Sequence, residues 1–301
     1  MMNFKEFKEI VRNEVENAMP EKSVKISTIT KNNNTKMTAL HISSTNNVVP
    51  NIYLEGFYDQ YCNGHKIDKI ISDIIGTYHM AMNNPINDSI DFTNFSDIDK
   101  IKDNIFFTIV NADANKELIM NIPHILWNDL AIIFKCLVTK GESDVSSFTI
   151  SNIFAEMWKT TTNQLLALAR ENTPKIFPGI IKSMKDMLFG VSETTNILED
   201  LDELDDDIPM YIATNNAGIN GAHVLLYPNL LEKFSAKCGK NFYIFPSSIH
   251  ECIFVPEEKN ADVNYFREMV KEVNATQLLP EEVLSDNVYY YNRASGEIKV
   301  A

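Results

Sequence analysis

From Asn241 to Pro256 the chain reads NFYIFPSSIHECIFVP, two short apolar runs on either side of a polar knot of Ser247, Ser248, His250 and Glu251. Apolar runs of this length, bounded by Pro and Ser, read as adjacent strands. The knot between them has two readings. It holds the working residues of a site, or it holds the hydroxyls that cap a tight turn by bonding main-chain amides.

The rest of the chain mixes the two hydrophobic periods. Phe4, Phe7, Ile10, Val11 and Val15 are spaced as one face of a helix over residues 3 to 19, which Pro20 ends. SVKISTI and TALHIS alternate with a period of two around KNNNTK and predict a hairpin, and NIYLEGFYDQY predicts a strand running into a helix. Ile70, Ile71, Ile74, Ile75 and Tyr78 define a second helical face over Ile67–Met82. The polar stretch 83–97 reads as a hinge or a long surface loop.

Beyond it, IKDNIFFTIVNADANKELIM looks helical, and LAIIFKCLV with SSFTISNIF predicts an antiparallel pair. A helix over Thr160–Glu171 has a threonine cap and Leu165, Leu166 and Leu168 on its buried side. Pro174 and Pro178 then punctuate a short segment, and a helix is expected around Ile180–Leu188. PMYIAT, NFYIFP and ECIFVP predict strands, PNLLEKFSAKC and Asp262–Val273 helices, and NVYYYNRASGEIKV a closing hairpin. No regular βαβ rhythm runs through this order. The expected fold is therefore α+β, with mixed, largely antiparallel sheets and packed helices. Two modules are expected: an N-terminal α/β module, 1–110, and a C-terminal α+β module, 111–301, carrying an acidic insert at 197–209.

A chain of 301 residues can bury a core without staples. Its net charge of −14 argues against a nucleic-acid-binding surface, which needs clustered Lys and Arg. Much of the excess lies in ILEDLDELDDDIP, residues 197–209, which reads as an acidic linker, with metal binding and nucleic-acid mimicry as sharper alternatives. No apolar run reaches the roughly 18 to 20 residues of a membrane span. MMNFKEFKEIVRNEVENAM lacks the apolar core of a secretory signal. A cytoplasmic location is expected. Cys62, Cys136, Cys238 and Cys252 have no zinc-like spacing, and Cys136 and Cys252 sit in apolar runs as ordinary buried thiols.

Two constellations could carry chemistry. In the first, Ser248 (or Ser247) is the nucleophile and His250 the base of an acyl-transfer site, the combination such chemistry requires. Ser248 and His250 share a strand face, whereas Glu251 points the other way, so an orienting carboxylate would come from elsewhere. No Gly-x-Ser-x-Gly elbow is present. The second is the loop ATNNAGINGAHVLLYP, residues 213–228, whose Asn215, Asn216, Gly218, Asn220, Gly221 and His223 follow a strand and precede a helix, where main-chain amides could meet an anion. Its bland reading is a polar turn with left-handed Asn and Gly. Placed at one end of a shared sheet, Asn216, Asn220, His223, Ser248 and His250 would line one pocket, with Ser247 and Glu251 beside it as ligand contacts. Neither GxxxxGK nor HExxH occurs among the six histidines and ten glycines, so no cofactor or metal is implied. Tyr53, Phe57, Tyr58 and Tyr61, like Tyr289, Tyr290 and Tyr291, read as core packing, with a protein-binding patch as the alternative.

MNFKEFKEIV, PNIYLEGFYDQY, INGAHVLLYP, FYIFPSSIHECIFVP, MVKEVNAT and LSDNVYYYNRASGEI together resemble the bacterial domain-of-unknown-function family numbered fifty-six eighty-eight, over nearly the whole chain. The resemblance implies a protein of anaerobic gut Gram-positives, often near mobile elements. The order of DLAIIFKCLV, Trp158, LLALARENT and FPSSIHECIFVP is distantly similar to another uncharacterised bacillary family. Neither brings an activity. The function expected is non-enzymatic binding of a protein partner or regulation associated with mobile elements, without nucleic-acid or membrane contact. The alternative is a hydrolase using Ser248 and His250.

Overall fold

The computed structural model of the protein describes residues 1–43, 50–82, 95–141, 145–188, 196–198 and 209–301. By its internal contacts the chain divides into two compact units, Met1–Asp91 and Phe92–Ala301. Most of the polar stretch 83–97 and residues 199–208 of the acidic insert lie outside the described residues.

The first unit builds a three-stranded antiparallel sheet, β1 (Ser23–Thr30), β2 (Lys36–Ser43) and β3 (Ile52–Tyr53), in that order. Helices α1 (Phe4–Ala18), α2 (Glu55–Cys62) and α3 (Ile67–Met82) accompany it. Asn3 and Glu6 form a capping box at the start of α1, satisfying amides that would otherwise lack acceptors. The helical stripe Phe7, Val11 and Val15 packs with Leu40 and Ile42 of β2 and Ile70 and Ile74 of α3. Positive φ at Asn33 and Asn34 lets the Asn-rich turn close the hairpin. Phe57, Tyr58 and Tyr61 pack against this core, with the Tyr58 ring 5.2 Å from that of Phe7.

The second unit holds two antiparallel sheets. One has the order β4 (Ile105–Asn111), β6 (Leu130–Lys140), β5 (His124–Trp127), with β7 (Val145–Thr149) also on β6. The other runs β13 (Glu297–Val300), β12 (Tyr289–Asn292), β10 (Phe242–Phe245), β11 (Cys252–Pro256), β9 (Tyr211–Asn215), β8 (Gly179–Ser183). One face of each contributes to a single core: Phe107 and Phe134 from the first, Ile181, Phe242, Phe254 and Tyr289 from the second. Between and around the strands lie α4 (Ile98–Ile101), α5 (Lys116–Ile119), α6 (Asn152–Met157), α7 (Thr162–Ile176), α8 (Met184–Leu188), α9 (Leu230–Cys238) and α10 (Val263–Gln277). Leu165 and Ala169 of α7 and Leu231 and Phe234 of α9 join that core, and α10 covers the far face of the larger sheet through Val270 and Phe266.

Three expectations need correction. IKDNIFFTIV is not helical: Ile105–Asn111 is β4, paired along its length with β6, and only Lys116–Ile119 downstream is helix. Six consecutive buried residues mark a strand covered on both faces, which erases the alternation that would have identified it. Ile180–Leu188 begins as β8, in register with β9 at Ile181↔Ala213, and turns helical only from Met184. Finally, α7 continues through Pro174 to Ile176, and the Tyr227 hydroxyl donates to the Phe177 carbonyl at its end, at 2.6 Å. The expected module boundary at residue 110 falls inside β4.

Candidate functional site

Strand β9 is buried at every position and ends in two polar residues, Thr214 and Asn215. Asn215 organises the loop that follows. Its Oδ1 accepts from the Ala217 N–H at 2.9 Å, and its Nδ2 donates to the Ile219 carbonyl at 2.9 Å and to Nε2 of His223 at 3.2 Å. Left-handed backbone at Gly218 and Asn220 turns the loop back on itself. Gly221 then presses onto the neighbouring segment. A Cβ there would lie 2.1 Å from Thr214 Oγ1 and 2.4 Å from the His250 carbonyl oxygen.

The Ser-His knot sits between this loop and residues 282–285. The Thr214 hydroxyl donates to the His250 carbonyl at 2.8 Å, and the Ala222 N–H to the Ile249 carbonyl at 3.1 Å. On the other side, Leu284 N–H donates to the Ser247 carbonyl at 2.7 Å and Ile249 N–H to that of Glu282 at 2.9 Å. Ser248 is buried, and its Oγ accepts from the His250 N–H at 3.0 Å. No hydrogen bond joins the Ser248 hydroxyl to the imidazole. Instead His250 Nδ1 accepts from the Asn220 N–H at 3.3 Å, and Nε2 faces Glu282 Oε1 at 3.8 Å. In its neutral form the ring therefore carries its proton on Nε2, and its one lone pair is already engaged.

The expected residues thus separate. Asn220 and His250 meet directly, and Ser248 meets His250 through the main chain. Glu251 and Asn216 are exposed, and Ser247 is half-buried. His223 points away from all of them into the core, wholly buried against Phe107, Phe177 and Tyr227. Burial pushes its pKa down to about 3, against a smaller upward pull from the Phe107 main chain, and its Nδ1 makes no regular hydrogen bond. The ring is neutral and structural.

Several polar contacts had no strong local signal. The Asp129 carboxylate accepts from the Ser285 hydroxyl at 2.6 Å and the Tyr289 hydroxyl at 2.5 Å, tying the β5–β6 turn to β12. In the first unit Ser27 Oγ and His41 Nε2 are 2.6 Å apart across β1 and β2. Asn215 stands in the polar loop the sequence singled out, and its side chain makes the turn there by accepting from Ala217. The others depend on strand register. Among the described residues no group of three or more His, Cys, Asp and Glu could hold a metal ion, and no helix is long and apolar enough to cross a membrane.

The chain matches, over residues 4–293, the family described as a family of unknown function (DUF5688), and it belongs to that family. No curated protein and no solved structure matches it.

Proposed function

We propose that the protein is a non-enzymatic binding protein whose partner is another protein, met through the second unit. One observation carries this reading. Met120 and Ile153 are 71% and 78% exposed, and Asn152 draws their segments together by donating from its N–H to the Asn121 carbonyl and from Nδ2 to that of Met120. Exposed Leu118 lies on α5, just before Met120, and exposed Met157 on α6 with Ile153. Large apolar side chains grouped in this way mark contact surfaces. Glu117 and Glu156 flank them, so the matching surface is apolar at its centre and basic at its rim. A regulatory role near mobile elements, as the family resemblance implied, is a setting in which such a partner would be met.

The hydrolase reading draws on a single feature, the Glu282 carboxylate near His250. It would require the imidazole to leave Asn220 before it could take a proton from Ser248. The test is affinity capture on wild type, Ile153→Asp and His250→Ala, with mass spectrometry and an ester-hydrolysis assay on each. A stoichiometric protein bound by wild type and His250→Ala but lost by Ile153→Asp supports binding at this surface. Esterase activity abolished by His250→Ala, with no such partner, sinks it in favour of the hydrolase.

A further inference from the structure

The second unit also carries an open hollow of about 580 Å³ where the edges of its two sheets approach. Trp127 comes from β5, Glu232 from α9, and Tyr291 from β12; Ile298 of β13 lies directly opposite Tyr291 in register. Arg293 and Ser295 belong to the β12–β13 turn. A hollow of this volume is of the size that takes small ligands. It is separate from the Ser-His knot and from the Met120–Ile153 surface.

Its polar groups have spare capacity. The Trp127 indole N–H and the Glu232 carboxylate have no hydrogen-bond or ion-pair partner among the described residues. Arg293 gives Nη1 to the Gly239 carbonyl at 3.0 Å, and its remaining side-chain N–H groups have no acceptor among the described residues. Trp127 is braced edge-to-face by Tyr289, with ring centroids 5.8 Å apart. The hollow therefore combines an aromatic and aliphatic floor with an unpaired acceptor and unpaired donors.

We propose that this hollow binds a saccharide. A hydroxyl both donates and accepts, so a vicinal pair can donate to the Glu232 carboxylate and accept from Arg293 or the Trp127 N–H. The C–H face of a pyranose packs on an aromatic ring and on aliphatic carbons such as those of Ile298. One lining charge of each sign leaves no net field to select a charged ligand. Arg293 also lines a second hollow, of about 520 Å³, with Lys240, Lys259 and Glu257, so a chain longer than one ring has room to extend.

The protein's two tryptophans make the test direct. Trp158 is 7% exposed and donates to the Phe95 carbonyl, so Trp158→Phe leaves Trp127 as the sole indole reporter. In that variant, Trp127 emission is titrated with glucose, galactose, N-acetylglucosamine and maltotriose, and in parallel with the zwitterionic dipeptide Phe-Gly. Saturation-transfer NMR on the unaltered chain guards against damage by the reporter substitution. The expected result is a saturable response to at least one sugar, weakened roughly tenfold by Glu232→Gln through loss of a charged acceptor. A response to Phe-Gly alone would make the hollow a zwitterion site and overturn the proposal. So would silence to every sugar by both methods, or binding that Glu232→Gln leaves unchanged.

Discussion

The main-chain N–H of Asn220 donates to Nδ1 of His250 at 3.3 Å, joining the loop after β9 to the turn before β11. Asn220 reaches that position because its backbone is left-handed, at φ 51°, a conformation Asn tolerates better than most residues. The contact decides the chemistry of the knot. With its Nδ1 lone pair held by a main-chain amide, His250 here orients the turn, and that lone pair is not directed at the Ser248 hydroxyl.

Gly221 is the residue next to that contact, and it has no room for a side chain. Gly221→Ala would drive a methyl into Thr214 Oγ1 and the His250 carbonyl. The main-chain oxygen cannot retreat without moving β11. A loss of roughly 2–3 kcal/mol in urea unfolding is expected. A loss below roughly 0.5 kcal/mol would show that the two loops part freely.

The Asp129 cluster predicts strong coupling. Tyr289→Phe removes one donor and should lower stability by about 1–2 kcal/mol. Asp129→Ala leaves the buried Ser285 and Tyr289 hydroxyls without their acceptor and should lower it further, by about 3 kcal/mol. The double variant should fall short of the sum by about 1 kcal/mol or more. Strict additivity in denaturation would mean the short contact contributes nothing.

His223 predicts an acid-side loss of stability. Its folded pKa, about 3, lies below the ordinary value of 6.5, so the unfolded chain takes up a proton that the folded chain refuses. Its contribution is complete above pH 6.5 and declines as the pH falls toward about 3, at up to about 1.4 kcal/mol per unit. His223→Gln keeps an acceptor for Asn215 but does not titrate. Between pH 6.5 and about 5 the unfolding free energy of wild type should slope downward and that of the variant should be flatter. Equal slopes would place the proton uptake elsewhere.

The two core thiols should be inert. Cys136 and Cys252 are fully buried. Burial pushes the Cys136 thiol up to about 12, and burial with the Glu251 charge pushes Cys252 upward as well. Iodoacetamide at mildly alkaline pH should leave both unlabelled in native protein and label both in urea, as read by peptide mass spectrometry. Labelling of either in the folded state would contradict this packing.

Much of the architecture was legible in local pattern. The α1 stripe, the β1–β2 hairpin, the paired strands around the Ser-His knot and the closing hairpin all repeat at periods that depend only on near neighbours. β4 and β8 were misread for a physical reason. IFFTIV is buried on both faces and shows no alternation, and GIIKS is too short to display one before the chain turns helical. Of the candidate residues, Ser248 had two readings, nucleophile or turn cap, and its Oγ accepts the His250 N–H as a cap would. Asn220 was expected near His250 but not as a main-chain donor to its ring, and the inward turn of His223 was not foreseen.

What the sequence alone determined is the α+β class, the antiparallel character of the sheets, and the type of most short segments, β4 and β8 excepted, because side-chain spacing along one segment carries that information. The tertiary structure decided which segments became neighbours. The strand order β13-β12-β10-β11-β9-β8 sets Asn220 beside His250, and the packing of this sheet against β4-β6-β5 sets Ser285 and Tyr289 beside Asp129 and Trp127 beside the turn of Arg293. Those pairings join residues far apart in sequence, and their geometry exists only once the sheets have closed over a common core.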